Sequence, residues 1–479
     1  MIDLGLVAAY FAVMLTVGWR ARKSSPDSYW VAERRYGAFP VAASLVATIF
    51  GASSTVGIVG LGYGRGLTGA WWSLVGGLAL IPFALLLASR VRRLEVYTLP
   101  DILREAYGNR VAVPGALMIG VAWCGVVAAQ IVAGALLLAG VLEVPMQGAV
   151  ALVAAIFVLY TFWGGQLSVV RTDSWQLGLF AGGLVVTLVL VARALEGGPP
   201  LAEAVPPGFL DFPVSPDFGW YQVLVFYPLI VGLPYLVGPD IYSRVLCARD
   251  GRTARNAALA AAVLVIPMSL LLALLGLMIR AHFPGLAAES ALPTAVVELA
   301  PPGLKGIVVA GLLGAIMSSA DTTLISASTI LSINVVSPLV GRGEGGAPTA
   351  GGQLRITRAF VVALGLAAWA IAAFQGGIIA SLLLAYTVFV GGVVLPTLAS
   401  FWRERLGVTS SAAMGSVLLG GGAAVLAGLS DGAALRGLLG PGGTALVEGV
   451  LGPEYGSLLA ILVSLVVLLG IGPISRLRR

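Results

Sequence analysis

Charged side chains are scarce in this sequence. Asp, Glu, Lys and Arg make up 10% of its 479 residues, whereas hydrophobic residues make up 58%, and the mean hydropathy is +0.98. A soluble protein of this length carries about 25% charged residues. The composition therefore predicts a polytopic protein of the lipid bilayer. The net charge of +6 does not indicate nucleic-acid binding, because the basic residues lie in short segments between apolar runs.

Cysteine and histidine are almost absent. Cys124 and Cys247 lie within or at the end of apolar runs, without a partner at metal-ligand spacing, so we expect neither a disulfide nor a metal–thiolate site. The single histidine, His282, falls in a predicted loop. Because the sequence shows no nucleophile–base pair and no metal cluster, we expect no enzymatic activity and no organic cofactor.

Long apolar runs dominate what is present, and thirteen of them can span a bilayer. They cover approximately residues 2–19, 40–66, 69–89, 113–142, 145–163, 171–193, 221–247, 257–281, 303–336, 356–373, 377–402, 411–429 and 453–472.

The charges around these runs predict the orientation. Asp3 precedes the first run and Arg20, Arg22 and Lys23 follow it, which places the N-terminus outside and is the reverse of a cleavable signal peptide. Threading the runs alternately then puts 23 of the 28 basic residues on the inner side and the C-terminus in the cytoplasm. We expect a multi-pass protein of the plasma (inner) membrane, with residues 194–219 capping its outer face.

The ninth run combines an apolar span with hydroxyl groups and an acid. Ala315, Ser318 and Ser319 stand at i, i+3 and i+4 and share one helix face. Thr322, Ser326 and Thr329 continue that stripe. Hydroxyl and carbonyl oxygens suit a hard cation such as sodium, although small residues also serve close helix packing in membranes. Asp321 costs about 2.5–3.5 kcal/mol near a membrane centre, which favours an ion or solute path.

Two runs are interrupted at equivalent places. The second run contains six glycines between Gly51 and Gly66, and the seventh contains Pro228, Gly232, Pro234, Gly238 and Pro239. Counted from the second run, these are the first and sixth helices of a ten-helix set. Paired broken helices are typical of secondary transporters, whose sites lie at the membrane midplane between two inverted repeats.

Four stretches resemble the sodium:solute symporter family, which includes bacterial proline, pantothenate, sialic acid and galactose transporters. They are SLVATIFGASSTVGIVGLGYGRGL, RTDSWQ, IYSRVLCARDGRTAR and AIMSSADTTLISAST. The resemblance implies an all-α, LeuT-type fold with a five-plus-five inverted repeat. It divides the chain into an extra N-terminal helix and inner loop (1–39), the first repeat (40–193), an outer loop (194–220), the second repeat (221–402) and two C-terminal helices (403–479).

The resemblance also implies a sodium site. Its ligands would be the carbonyls of Ala47 and Phe50 at the break in the second run, with oxygens of Ala315, Ser318 and Ser319. Some members bind a second cation, for which the matching residues here are Asp173, Ser318, Asp321 and Thr322. Asp321 replaces a hydroxyl residue of that pattern. Asp173 has two alternative roles, as a partner of Arg171 or as a helix N-cap.

Solute-contacting positions are implied beside the same breaks. The resemblance gives Ser53, Ser54, Trp72 and Ser73, and location adds Gln130, Tyr235, Asp240 and Tyr386. Trp72 is also compatible with an interface anchor and Gln130 with interhelical hydrogen bonding. Because positions 53, 54 and 73 carry serine rather than charged or amide side chains, a sugar is disfavoured. No Lys or Arg is expected in the middle of the membrane.

We therefore predict a sodium-coupled symporter that imports a small organic solute, either an amino acid or a monocarboxylate, by alternating access. Sodium is the co-transported ion, and protein partners cannot be read from the sequence. The alternatives are a proton-coupled symporter using Asp173 or Asp321, a sugar or sialic acid symporter, and, more remotely, a sensor or channel on the same scaffold.

Overall fold

Nearly all described residues of the protein lie in helices. The computed structural model describes residues 2–20, 25–142, 144–340, 349–374, 377–429, 440, 442–445, 447 and 455–476, and β-structure within them is limited to two isolated bridges. Arg22, Lys23 and part of the last predicted span lie outside the described residues.

The first half of the chain holds helices α1 (Ile2–Arg20), α2 (Pro26–Val31), α3 (Ala38–Ile49), α4 (Ile58–Arg65), α5 (Trp71–Pro82), α6 (Ser89–Arg93), α7 (Leu99–Tyr107), α8 (Asn109–Leu142), α9 (Met146–Ala194) and α10 (Leu201–Ala204). The second half holds α11 (Leu233–Val237), α12 (Pro239–Leu246), α13 (Gly251–His282), α14 (Ala291–Leu299), α15 (Leu304–Ile330), α16 (Ser337–Val340), α17 (Ala350–Phe374), α18 (Ile378–Phe389), α19 (Leu395–Ser400), α20 (Arg403–Leu406), α21 (Ser410–Gly415), α22 (Gly421–Leu429) and α23 (Tyr455–Arg476).

Ten described helical runs are long and apolar enough to cross a membrane. One of them, α9, has 49 residues, or about 74 Å of straight helix, which is more than twice the apolar thickness of a bilayer. It is not straight. The Tyr160 hydroxyl and the Thr172 Oγ1 lie 3.0 Å apart although 12 residues separate them, so the chain folds back at Gly165, whose φ is +64°.

The continuous run Ser53–Arg93 folds back in the same way. The hydroxyls of Ser54 and Ser73 lie 2.6 Å apart across 19 residues, and the reversal occurs at Gly66, whose φ is +73°. The run Met146–Ala194 therefore contains two of the predicted spans, and the run Ser53–Arg93 contains the second half of the span 40–66 and the whole of the span 69–89. The count of thirteen crossings stays a prediction, because length and composition alone define the ten runs.

Both predicted helix breaks are present. Helix α3 ends at Ile49, and Phe50 leaves the helical region with φ −84° and ψ 48° before the chain resumes in a π-helical turn, Ser53–Gly57. Gly238 separates α11 from α12 with φ −60° and ψ 133°. These breaks leave helix ends, with their unpaired backbone groups, inside the protein.

Helix α15 lies at the centre of the bundle. It packs mainly on α9, α8 and α1, and 24 of its residues are buried. Its N-terminus is held by Asp3, whose Oδ1 accepts hydrogen bonds of 2.8 and 2.7 Å from the amides of Gly303 and Gly306. A carboxylate at this position also complements the helix dipole. The starts of α1 and α15 thus lie at the same end of the molecule.

The segment 194–219 packs on the reversal at Gly66. The Leu67 amide donates to the Phe209 carbonyl at 2.8 Å, and Trp71 Nε1 donates to the Pro213 carbonyl at 2.8 Å. A Cβ on Gly66 would collide with the Phe209 backbone. The loop and the turn therefore fit only because residue 66 lacks a side chain.

Candidate functional site

The end of α3 meets the middle of α15 at Ser319. Its hydroxyl donates to the Thr48 carbonyl at 2.6 Å and lies 3.3 Å from the Ala47 carbonyl. Carbonyls in the last turn of a helix have no intrahelical donor. Here they are paired with a side chain from the other repeat, so oxygens of α3 and α15 form one group.

Gly51 makes this approach possible. A Cβ at Gly51 would lie 2.5 Å from the Ser319 Cβ and 2.6 Å from Gln130 Oε1. Gln130 Oε1 also accepts a hydrogen bond of 2.7 Å from the Ala52 amide. Gln130 therefore satisfies one amide that the helix break leaves free, as a buried backbone donor requires.

The five residues predicted for sodium lie around this junction. Ala47 and Ser319 are adjacent, whereas Ser318 Oγ turns away and donates to Asp173 Oδ1 at 2.7 Å. Ala315 is buried one turn earlier on α15. Phe50 stands at the break, with its ring stacked on Phe180 at 5.7 Å.

A buried ion pair lies beside the junction. Arg244 of α12 places its NH2 group 3.5 Å from Asp173 Oδ2, and both side chains are 0% exposed. Its Nε donates to Thr48 Oγ1 at 3.0 Å, and its NH2 also contacts Thr322 Oγ1. Ser44 donates to the same Asp173 oxygen. The guanidinium thus joins α3, α9, α12 and α15.

Sequence reasoning missed this role of Arg244. Its position in the chain groups it with Arg249, Arg252 and Arg255 in an inner loop, and no basic side chain was expected in the core. That expectation is wrong for Arg244. The expected alternatives for Asp173 also differ from what is observed, because Arg171 is exposed and Asp173 lies inside α9 rather than at an N-cap.

The four residues predicted for a second cation do not all come together. Asp173, Ser318 and Thr322 lie around the guanidinium. Asp321 faces another side of α15, where its Oδ1 accepts a hydrogen bond of 2.6 Å from Thr161 of α9. Its Oδ2 is buried and has no hydrogen-bond partner among the described residues.

A cavity lies beside the two breaks, with Ser319 in its wall. Five of the eight predicted solute-binding residues line it, namely Ser53, Gln130, Tyr235, Asp240 and Tyr386. The structure adds Thr48, Trp123 and Thr323. Trp123 precedes Gln130 by seven residues on α8, and this helical spacing is the signal in the sequence that could have identified it.

The other three predicted residues lie outside the lining. Ser54 and Ser73 bond to each other at 2.6 Å. Trp72 stacks on Tyr386, with ring centroids 6.3 Å apart, and its edge meets Tyr227 at 6.1 Å. Trp72 therefore packs against Tyr386, which lines the cavity, without lining the cavity itself.

A second, smaller cavity lies further along α15. Ser326 and Thr329 of α15 line it with Trp30, Tyr97 and Tyr242. The hydroxyls of Ser326 and Thr329 have no partner among the described residues. The stripe that begins at Ser319 therefore continues from the first cavity to the second, and Thr322, which lies between them on this stripe, contacts Arg244.

Known proteins resemble this chain over most of its length. The sequence profile of the Sodium:solute symporter family matches residues 29–420. Sodium/myo-inositol cotransporter 2 of Mus musculus is 26% identical over 380 residues, which are 70% of this chain and 56% of that protein. Sodium/pantothenate symporter of Haemophilus influenzae is 29% identical over 327 residues, which are 63% of this chain and 64% of that protein. The chain thus spans little more than half the length of several curated relatives it matches.

Solved structures share the fold. A sodium-coupled sialic acid symporter in a substrate-bound, outward-open state has a TM-score of 0.78 at 16% identity, covering 99% of this chain and 98% of that one. A transporter of the nucleobase-cation-symport-1 family in a closed conformation has a TM-score of 0.59 at 14% identity, covering 92% and 93%. With the two helix breaks, these likenesses confirm the predicted all-α, LeuT-type inverted-repeat fold.

Proposed function

Because the chain belongs to the sodium:solute symporter family, we propose that it is a sodium-coupled symporter that imports a small organic solute by alternating access. The observation that carries this proposal is the junction of the broken helix α3 with Ser319 of α15 in the wall of a cavity. An ion and a solute bound there would each contact residues of both repeats. Movement of one repeat against the other would then depend on the binding of the ion and of the solute.

The proposed sodium ligands are oxygens of Ala47, Phe50, Ala315, Ser318 and Ser319. The 3.3 Å separation of Ser319 Oγ and the Ala47 carbonyl supports this set, because one ion about 2.4 Å from each oxygen fits between them. A hydroxyl keeps lone pairs for a cation while it donates its hydrogen. The ion would fasten α15 to α3 and favour the outward-open state.

The second cation set stays a hypothesis, and Arg244 favours a single sodium. Its guanidinium already lies with Asp173 and Thr322. One sodium crossing about 100 mV gains about 2.3 kcal/mol, and a tenfold gradient adds about 1.4 kcal/mol. One ion therefore supports roughly a few-hundred-fold accumulation, and two would square it. The reversal potential of solute-driven current at several sodium gradients measures this stoichiometry.

Proton coupling is the second candidate. The free Oδ2 of Asp321 supports it, since a buried carboxyl with one unpaired oxygen can hold a proton. The deciding experiment uses proteoliposomes loaded with the purified protein. Uptake is driven by a sodium gradient at equal pH, or by a pH gradient without sodium. We expect uptake only with the sodium gradient, and uptake with the pH gradient alone would contradict sodium coupling.

The orientation and the five segments given by the sequence are also proposals. Asp3 lies at the N-terminal end of α15. In another region the Arg249 amide donates to the Tyr36 carbonyl, and the Tyr36 amide donates to the Cys247 carbonyl. The side chains of Arg34 and Arg92 also donate to backbone carbonyls there. Basic loops of this kind face the cytoplasm. We expect an impermeant thiol reagent to label a cysteine at position 197 from outside. A cysteine at position 252 should be labelled only from inside.

A further inference from the structure

The cavity beside Ser319 has a single charged residue in its wall. Of the thirteen described residues that line it, Asp240 is the only Asp, Glu, Lys, Arg or His. The rest of the wall is aromatic, hydroxyl, amide or aliphatic. The cavity has a volume of about 30 Å³ in this structure, which is room for one or two water molecules, so a solute enters only when alternating access widens it. That solute then meets one carboxylate and, among the described lining residues, no cationic side chain.

Asp240 is available to a ligand. It follows the break at Gly238, in the first turn of α12, and its side chain is partly accessible. Among the described residues it forms no ion pair, and Arg244, one turn further along α12, is bonded to Asp173 instead. An acid in a first turn also stabilises its helix. That role requires neither the cavity beside Asp240 nor the aromatic side chains that line the cavity with it.

Three aromatic residues share the lining with this carboxylate, and each is held in place. Trp123 packs edge-on against Phe389, with ring centroids 4.7 Å apart, and Tyr386 stacks on Trp72. A Cβ at Gly76 would lie within 2.5 to 2.7 Å of the Tyr235 ring. The ring therefore occupies space that only glycine leaves open.

A carboxylate among aromatic faces is the arrangement that recognises an organic cation. The acid supplies the opposite charge, and the ring faces attract a cation whose charge is spread over alkyl groups. We infer that the transported solute carries a cationic nitrogen, as an ammonium or quaternary ammonium group held by Asp240 and faced by Trp123, Tyr235 and Tyr386. This inference rests on the proposed transport function and narrows its solute class. It favours amino acids and amines over monocarboxylates.

The test measures binding and transport separately. Purified protein is titrated in detergent, with sodium present, by calorimetry and by tryptophan fluorescence. The probes are choline, glycine betaine, L-proline and L-alanine, each with a cationic nitrogen, and lactate, pyruvate, glucose and myo-inositol, which have none. The same compounds are then offered to proteoliposomes with a sodium gradient. We expect at least one nitrogen cation to bind and to be taken up, and no compound of the second group.

Variants assign the effect to the cavity. Asp240→Asn should weaken binding of the nitrogen cation about 10- to 100-fold, as expected for loss of a hydrogen-bonded charge. Asp217→Asn, in the outer segment, is the matched control and should change nothing. Trp123→Leu should weaken binding about 3- to 30-fold, whereas Trp123→Phe should retain most of it. A rise in the melting temperature of each variant when sodium is added shows that the variant is folded.

The outcomes separate the two proposals. If a nitrogen cation binds but no sodium gradient drives its uptake, the transport function fails and the assignment of the cavity stands. The assignment is overturned if lactate, pyruvate or a polyol binds in its place, if no probe binds, or if folded Asp240→Asn binds the cation as the unmodified protein does.

Discussion

Asp173 and Asp240 lie in the same helical core, and their carboxylates have opposite surroundings. Asp173 is 0% exposed, is paired with Arg244 and accepts hydrogen bonds from Ser44 and Ser318. Asp240 lines the cavity and has no ion-pair partner among the described residues. Helix α12 carries both Arg244, which pairs with Asp173, and Asp240, which lines the cavity.

The difference separates a charge that is paired within the protein from a charge that borders a cavity. A buried ion pair is weak support for stability when compared with an apolar replacement, but loss of one partner leaves a charge that neither water nor protein compensates. Asp173 and Arg244 therefore depend on each other. Asp240 borders the cavity and forms no ion pair among the described residues.

The largest effect should come from Arg244→Met, which leaves Asp173 buried and unpaired. We expect a loss of about 3–5 kcal/mol in the free energy of unfolding, measured in detergent by thermal or denaturant titration. The double variant Arg244→Met, Asp173→Asn should recover most of it. Arg249→Met is the matched control, because its pair with Asp250 has side chains 69% and 52% exposed, and it should be neutral. Equal losses for the single and double variants would show that the pair is not the cause.

Ser319→Ala should have the next largest effect. It removes the one hydroxyl that faces the Ala47 and Thr48 carbonyls. We expect the sodium concentration for half-maximal uptake to rise about tenfold or more, with solute affinity at saturating sodium unchanged. Ser269→Ala is the matched control, since the buried Ser269 hydroxyl donates to the Val265 carbonyl of its own helix, α13, and lines neither cavity. A parallel loss at all sodium concentrations would instead indicate a folding defect.

Cysteines placed along the hydroxyl stripe beyond Ser319 should show a smaller effect, which is a change in their rates of reaction with a thiol reagent. Both natural cysteines are first replaced by alanine, and single cysteines are placed at positions 322, 326 and 329. Those at 326 and 329 line the second cavity and should react with a polar thiol reagent from the cytoplasmic side, several-fold more slowly with sodium. The cysteine at 322 should react least, because Arg244 and the Ser318 carbonyl contact that position.

Two results would change this interpretation. If none of the three cysteines reacts in any condition, the stripe serves helix packing, since hydroxyls also bond to their own helix one turn earlier. If position 322 reacts as fast as 326, the guanidinium does not close the path between the cavities.

The smallest effect should come from Asp321→Asn. Asparagine retains an oxygen for the 2.6 Å hydrogen bond from Thr161 and removes the charge. If sodium alone drives uptake, half-maximal sodium should stay within about twofold, the size expected for a site without a direct ligand role. A loss of pH-dependent uptake in this variant would assign proton coupling to Asp321. That role would differ from both the ion pair of Asp173 and the solute binding proposed for Asp240.

Periodicity and local chemistry predicted the long helices, the two helix breaks and the face of α15 that carries Ser319, whereas the LeuT-type fold and the meeting of that face with α3 were implied by the family resemblance. Gly and Pro marked both helix breaks, and the i, i+3, i+4 spacing brought Ser319 to the face that meets α3. Each of these features depends on residues that are close together in the chain, so each can be recognised in a single sequence.

The partners of the charged groups were not predictable in this way. Arg244 is near three loop arginines in the chain, but α12 carries its side chain inward to Asp173, 71 positions earlier. Thr161 reaches Asp321 only because α9 folds back. Ser54 and Ser73, given solute roles by resemblance, bond to each other across the reversal at Gly66. Each contact depends on tertiary packing that no helical wheel describes.

The reversal at Gly165 limits where foreign sequence can be inserted into the chain. Its φ of +64° is strained for any other residue, and a Cβ there would collide with the Tyr29 ring. A tag or reporter spliced in at this turn would therefore force the two halves of α9 and Tyr29 apart. The open turn at Gly197, where an added Cβ would meet nothing within 4 Å, has room for such an insertion.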